Sequence, residues 1–357
     1  MLQDILKKIG PLDKAAMETA AEHHDQLAMP YRSLGQLHEV AIRLAGIRKD
    51  PRPVIKNLAM ITMAGDHGVA DQGVSLYPKE VTPQMVATFL KGGAAINVLA
   101  RHFGIRLTVV DIGVAAPIPE IAFTPTPDLQ FLQKRIADGT NDISQGPAMT
   151  KEQATTAIET GIAVFEQNYA NGLDAVGTGD MGIANTTPSA AIAAAMLNRP
   201  PSEVVNRGTG IDDEALKNKA SVVARSLEVN QPDPDDALDV LAKVGGYEIG
   251  GIAGVILGAC ARRVPVVIDG FISTAGALIA SRFNPEVKNY LFGGHQSAVE
   301  GHSLMLADLN LVPLVDLGMR LGEGTGATFG LSILASASAI ATQMLTFAEA
   351  AVSGPSE

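Results

Sequence analysis

One cysteine, Cys260, stands in 357 residues, so no intramolecular disulfide can staple the chain. Its apolar setting, Gly251 to Cys260, makes it a small core residue that fits a reducing cytoplasm. Charge is scarce as well: 18% of residues are charged against 46% hydrophobic, a balance that excludes a disordered chain. Within that 18% the cations are the minority, with 27 Lys plus Arg against 38 Asp plus Glu, a net charge of −11 and no Lys/Arg-rich run. Nucleic acid and anionic membrane surfaces are therefore not expected partners, and a bound phosphate has to be held by backbone N–H groups and a few chosen cations. No His/Cys/Asp set has zinc spacing, no G-x-S-x-G or Walker sequence occurs, and no internal repeat is present. The start of the chain, Met1 to Lys8, is too polar for a secretory signal. The most apolar stretch, Ala327 to Phe347, is broken by serines, threonines and Gln343, which favours a buried or oligomer-interface helix over a membrane span.

What is present is an alternation. Short apolar runs ending in Gly or Asp (Leu58 to Met63, Arg106 to Asp111, Leu173 to Val176, Val264 to Asp269, Leu311 to Asp316) read as strands. Between them, Pro83 to Arg101, Lys151 to Asn168 and Asp212 to Glu228 read as amphipathic helices. The pattern predicts an α/β fold, a mostly parallel, Rossmann-like sheet with helices on both faces and ligands beyond the carboxyl ends of the strands. The first fifty residues read as helical, with Leu34, Leu37, Val40, Ala41 and Leu44 on one face, and so does the tail. Residues 1–50 and 327–357 are thus expected to join as a small helical domain on a 51–326 α/β nucleotide-binding catalytic domain. The boundary falls at Pro51 to Pro53, and Pro117 to Asp142, Pro-rich and aperiodic, reads as a surface excursion.

Four glycine-bearing turns are expected after strands. In the last, Glu323 sits among Gly322, Gly324 and Gly326 just before an apolar helix, a setting for a carboxylate held for chemistry; a solvated acid in a glycine turn is the plainer alternative. Ala64 to Gly68 reads as a tight turn with Asp66 as a helix cap and His67 structural. Gly177 to Gly182 matches the G-x-G-x-x-G dinucleotide fingerprint, but the next helix should begin near Thr187, with Pro188 first and hydroxyls at its cap. A cradle for one phosphate or a ribose, with Asp180 accepting hydroxyl hydrogen bonds, is the better reading. Val267 to Gly276 resembles a diphosphate-sugar loop with one acid, Asp269, where two are usual. Asn206 to Asp212 leads into a helix bearing Lys217 and Lys219, a reasonable place for a phosphate-facing lysine. His295 and His302 read as local hydrogen-bonders.

Taken together, Ser33 to Gly35, Asp66 to Val69, Val81-Thr82, Gly92 to Asn97, Gly182 to Pro188, Lys243 to Gly246, Asp269 to Phe271 and Arg320-Leu321-Gly322-Glu323-Gly324-Thr325-Gly326 resemble, nearly end to end, the nicotinate-nucleotide:dimethylbenzimidazole phosphoribosyltransferase family. The resemblance implies transfer of the phosphoribosyl group of nicotinate mononucleotide to 5,6-dimethylbenzimidazole or a related base, for the cobalamin nucleotide loop. It implies Glu323 as catalytic base, Lys219, Gly182 and Gly208 at the nucleotide phosphate, and Asp180, Asp269 and Ser297 near ribose and nicotinate. Tyr77 and Met85 fall where relatives place Ser and Gln near the benzimidazole, Leu321 is a further substrate-binding position, and Asp180 replaces a glutamate. It also implies a homodimer; the transfer requires no metal or cofactor, and the single cysteine fits a cytoplasmic location. Alternative readings are a relative that prefers a phenol or other aromatic base, a non-catalytic nucleotide sensor, and a dehydrogenase.

Overall fold

The computed structural model describes residues 1–208 and 210–353, and within them the apolar runs lie side by side in one sheet. The strands are β1 (Leu58–Gly65), β2 (Arg106–Gly113), β3 (Leu129–Gln133), β4 (Ala175–Met181), β5 (Val266–Ile268), β6 (Leu291–His295) and β7 (Pro313–Val315). Their spatial order is β3-β2-β1-β4-β5-β6-β7, and every pairing is parallel. β1 is buried at all eight positions, as a strand covered on both faces must be, and for that reason its sequence is a continuous apolar run. The order reverses between β1 and β4. That switch point opens a crevice beyond the carboxyl ends of the strands.

The helices are α1 (Leu2–Leu6), α2 (Lys14–Gln26), α3 (Gln36–Arg48), α4 (Val81–Leu90), α5 (Ala95–Phe103), α6 (Lys151–Ala170), α7 (Thr186–Leu197), α8 (Pro201–Val204), α9 (Asp213–Asn230), α10 (Ala237–Val244), α11 (Tyr247–Ala261), α12 (Phe271–Phe283), α13 (His302–Asp308), α14 (Thr325–Gln343) and α15 (Phe347–Ala350). Local chemistry sets several starts. Thr150 and Gln153 cap α6 reciprocally, and Asp212 accepts from Ala215 N at the head of α9, each satisfying amides that would otherwise lack partners. α14 is long and apolar enough to cross a membrane, yet more than half of it is buried, because it packs on α3, α5 and strands β4 to β7. α2 and α3 share a small cluster, Ala20, Ile42 and Ala45, separate from the main core.

Several sequence expectations are corrected. Gly177 to Met181 is not a turn but the body of β4, a central strand whose glycines are required by what packs on it. β6 was not anticipated, its Gly293 and Gly294 masking a strand, and β3 lies inside the expected surface excursion. The helix expected over Pro83 to Arg101 is two, broken at Gly92 and Gly93. α7 begins at Thr186, so Pro188 is its third residue, and Asn185 makes no side-chain cap because its amide is used elsewhere. Leu34 precedes α3 and is exposed, while Val40, Ala41 and Leu44 are buried.

Candidate active site

A cavity of about 370 Å³ occupies the crevice. Its walls come from the segment after β1 (Val74, Tyr77, Val81, Met85), the end of β4 (Asp180, Gly182), the start of α7, Gly208, the ends of β5 and β6 (Gly270, His295, Ser297) and the loop Arg320 to Glu323. The Val74 to Met85 side is mainly apolar. The carboxylates gather opposite it.

Glu323 is buried and has φ +65°, a left-handed conformation that costs a non-glycine residue roughly 1–2 kcal/mol. Surrounding bonds hold it there. Its N–H donates to Asp180 O at 3.2 Å, its carbonyl accepts from Thr62 Oγ1 at 2.9 Å, and the next amide, Gly324 N, donates to Asp269 Oδ2 at 3.0 Å. A Cβ on Gly179 would collide with the Glu323 carbonyl, so β4 needs glycine at that point. The carboxylate is fixed through one oxygen: Oε2 accepts from Ile96 N, in the first turn of α5, at 3.1 Å. Burial raises the Glu323 pKa, the Ile96 amide pulls it back and the nearby Asp269 charge adds to the rise, leaving it above the usual carboxylate value.

Asp269, expected near the ribose, sits deeper than Asp180. It is fully buried and absent from the cavity lining, and its oxygens accept from Gly324 N (3.0 Å), Gly326 N (2.6 Å) and Ala327 N (3.1 Å). It caps α14 and pins the Glu323 turn. Burial raises its pKa, against the opposing pull of His295 and the three amides; His295 Nε2 stands 3.6 Å away. Asp180 lines the cavity. Asn185 donates to its Oδ2 at 2.9 Å, while Oδ1 is buried without a partner. Burial, then the Asp269 charge, push its pKa well above the ordinary value.

Two residues beyond Asp180, a Cβ on Gly182 would strike the Gly65 carbonyl. Gly208 accepts from Arg320 Nη1 at 3.3 Å, which ties the two loops together. Lys219 does not line the cavity. It is buried behind Thr186, donating to Thr186 Oγ1 at 2.6 Å and Asn206 O at 3.1 Å, and burial lowers its pKa to about 7. Below Gly182, His67 Nε2 and Glu248 Oε1 lie 2.8 Å apart in a buried pair, and Asp66 accepts from Ala115 N instead of capping a helix.

Of the ten site residues singled out by sequence, Glu323, Asp180, Gly182, Gly208, Ser297, Leu321, Tyr77 and Met85 line one cavity; Asp269 and Lys219 stand behind its wall. His302 is a local hydrogen-bonder, to Thr274 and Ser297. His295 is the residue that sequence reasoning underrated. It ends a strand that glycines concealed, and it faces both cavity and Asp269. Thr62 and Ile96, which hold Glu323, carry no local signal. Among the described residues no group of three or more His, Cys, Asp or Glu side chains is arranged to hold a metal ion.

Comparison with known proteins gives a consistent answer. The family described as Phosphoribosyltransferase matches residues 9–352. The nicotinate-nucleotide–dimethylbenzimidazole phosphoribosyltransferase of Chloroflexus aurantiacus is 55% identical over 353 residues, covering 99% of each chain. That of Geobacter sulfurreducens is 51% identical over 352 residues, covering 99% of this chain and 98% of its own. The crystal structure of CobT from Thermus thermophilus superposes with a TM-score of 0.90 at 43% identity, over 96% of this chain and all of that one.

Proposed function

The chain belongs to this phosphoribosyltransferase family, and from that premise we infer that it transfers the phosphoribosyl group of nicotinate mononucleotide to 5,6-dimethylbenzimidazole or a related base, releasing nicotinate. The observation that carries the inference is the Glu323 carboxylate, buried at the cavity wall with Oε2 tied to Ile96 N and Oε1 left for a substrate proton.

The chemistry follows from charge. Nicotinate in its mononucleotide is a pyridinium, so when the bond from its nitrogen to the anomeric carbon breaks, the electron pair returns to the ring and no acid is needed. The unprotonated nitrogen of the incoming base attacks that carbon from the opposite face. Its other nitrogen gives its proton to Glu323, so the β-nucleotide becomes an α-product and charge is balanced. A raised Glu323 pKa improves the match to this transfer. Asp180, whose carboxylate lies beside Gly322 with one oxygen unpartnered, is the group for the positive charge that develops at the anomeric carbon, a charge that in turn favours its ionised form. In this reading Gly182, Gly208 and Lys219 hold the phosphate, Ser297 lies near nicotinate, and Tyr77, Met85 and Leu321 border the base. Asp269 acts on the reaction by shaping the Glu323 turn.

Residues 1–50 and 327–357, the last four of which lie outside the described residues, we treat as a small helical unit on the 51–326 domain; the packing of α14 on α2 and α3 supports this. A cytoplasmic homodimer is the accompanying proposal: the single cysteine, buried Cys260, fits a reducing compartment, and exposed Leu345 and Val352 offer apolar surface for a second copy. Mass photometry giving only the 37.1 kDa species would count against the dimer. The central experiment is product analysis after incubation with nicotinate mononucleotide and dimethylbenzimidazole. Equimolar nicotinate and α-ribazole 5'-phosphate are expected; nucleotide binding without nicotinate release would reject the assignment.

A further inference from the structure

Helix α5 lacks the side chain that should start it. Its N-cap is Ala94, which cannot accept a hydrogen bond from the first-turn amides. Two other residues fill the gap. Glu323, 227 positions from Ile96 in sequence, takes the Ile96 amide on Oε2. Asn97, buried at 3% exposure, uses its whole side chain: Oδ1 accepts from Ala94 N at 3.1 Å and Nδ2 donates to Phe89 O at 2.9 Å. It thereby joins the last turn of α4 to the first turn of α5 across Gly92 and Gly93, where the helical path breaks. With alanine as the cap, the direction of the Ile96 N–H depends on that staple.

We propose that Asn97 is a positioning residue for Glu323: by fixing the first turn of α5 it aims the Ile96 N–H at Oε2 and so leaves Oε1 as the oxygen that receives the substrate proton. The inference rests on Glu323 being the base. The consequence is directional. An amide at a helix N-terminus favours the ionised carboxylate, so a loosened α5 would leave Glu323 both misaimed and harder to ionise. The titratable groups facing Glu323 are Asp180 on β4 and Asp269 after β5, with His295 beyond Asp269. β1 contributes the Thr62 hydroxyl, α14 carries no charged residue, and Arg101 and His102 lie in the last turn of α5. None of these groups is tied to Asn97 by a side-chain bond, so a change there reaches Glu323 through the amide.

The test combines variants with a measurement on the parent protein. Asn97→Ala should lower kcat roughly 10- to 100-fold, the scale of a small misplacement of a reacting group, with KM for nicotinate mononucleotide within about twofold. The acid limb of its kcat profile should move up by about one pH unit. Asn97→Gln keeps acceptor and donor, and the void of about 490 Å³ that Asn97 borders has room for the extra methylene; it should restore the limb. In the parent, the Ile96 amide resonance should titrate with the same midpoint as the kcat limb and stop titrating in Glu323→Gln. An Ile96 amide insensitive to Glu323, or a folded Asn97→Ala with an unmoved limb, overturns the proposal, whatever the variants do to stability. Failure of the parent to form product at all would instead remove the base assignment on which it stands.

Discussion

Asp269, just beyond β5, gives both oxygens to backbone amides at the head of α14, whereas Asp180, on the adjacent β4, shares one oxygen with Asn185 and leaves the other bare. Both are buried acids near the carboxyl ends of neighbouring strands. An unpaired buried polar atom is expensive, so it persists where something else needs it. A satisfied buried carboxylate therefore marks structure, and a half-satisfied one facing a cavity marks a place for a ligand.

The sharpest way to use this comparison is at Glu323, which belongs to both sides: its backbone is clamped and its Oε1 is unclaimed. Glu323→Gln should lower turnover by roughly 10²–10⁴-fold, the usual contribution of a general base, with folding and nucleotide binding kept. A variant that binds nicotinate mononucleotide and turns over within a few-fold of the parent would falsify the base assignment. Next in size, Asp269→Ala removes the one acceptor that three amides have among the described residues. It should destabilise the fold by about 3–5 kcal/mol, as breaking a buried charged network does, and turnover should fall with it; unchanged chemical denaturation would break the comparison. Asp180→Ala should do the reverse, costing at least tenfold in turnover at nearly unchanged stability, while Asp180→Glu changes turnover modestly.

Two smaller effects concern protons. Burial raises the Asp180 pKa above its unfolded value, so the native state binds the extra proton. Its contribution to stability is complete at pH values below the unfolded pKa and is lost as pH rises through the folded one. Asp180→Asn should flatten that decline in denaturation series across the acid-to-neutral range; an identical slope in both proteins would show that Asp180 does not carry it. Lys219, lowered to about 7, is partly neutral at that pH, and a phosphate beside it should raise its pKa. Binding of nicotinate mononucleotide near pH 7 should then take up as much as about half a proton, read by calorimetry in buffers of different ionisation enthalpy and absent in Lys219→Met.

The alternation of strands and helices, the α/β class and the acid framed by glycines ahead of α14 were legible in the sequence, because hydrophobic period and chain-breaking residues act locally. Glycine also misled. Gly177 and Gly179 read as a turn but lie inside β4, since the Met60 and Leu331 side chains pack against the first and the Glu323 backbone against the second where a side chain would stand, and β6 with His295 was concealed for a similar reason. By itself the sequence determined which residues carry charge near the strand ends. Only the tertiary structure decided what each charge is for. The Asp269 carboxylate meets amides 55 to 58 residues away, Ile96 meets Glu323 across 227, and whether a buried acid is spent on the fold or free for a substrate depends on such distant partners, which no local pattern of residues records.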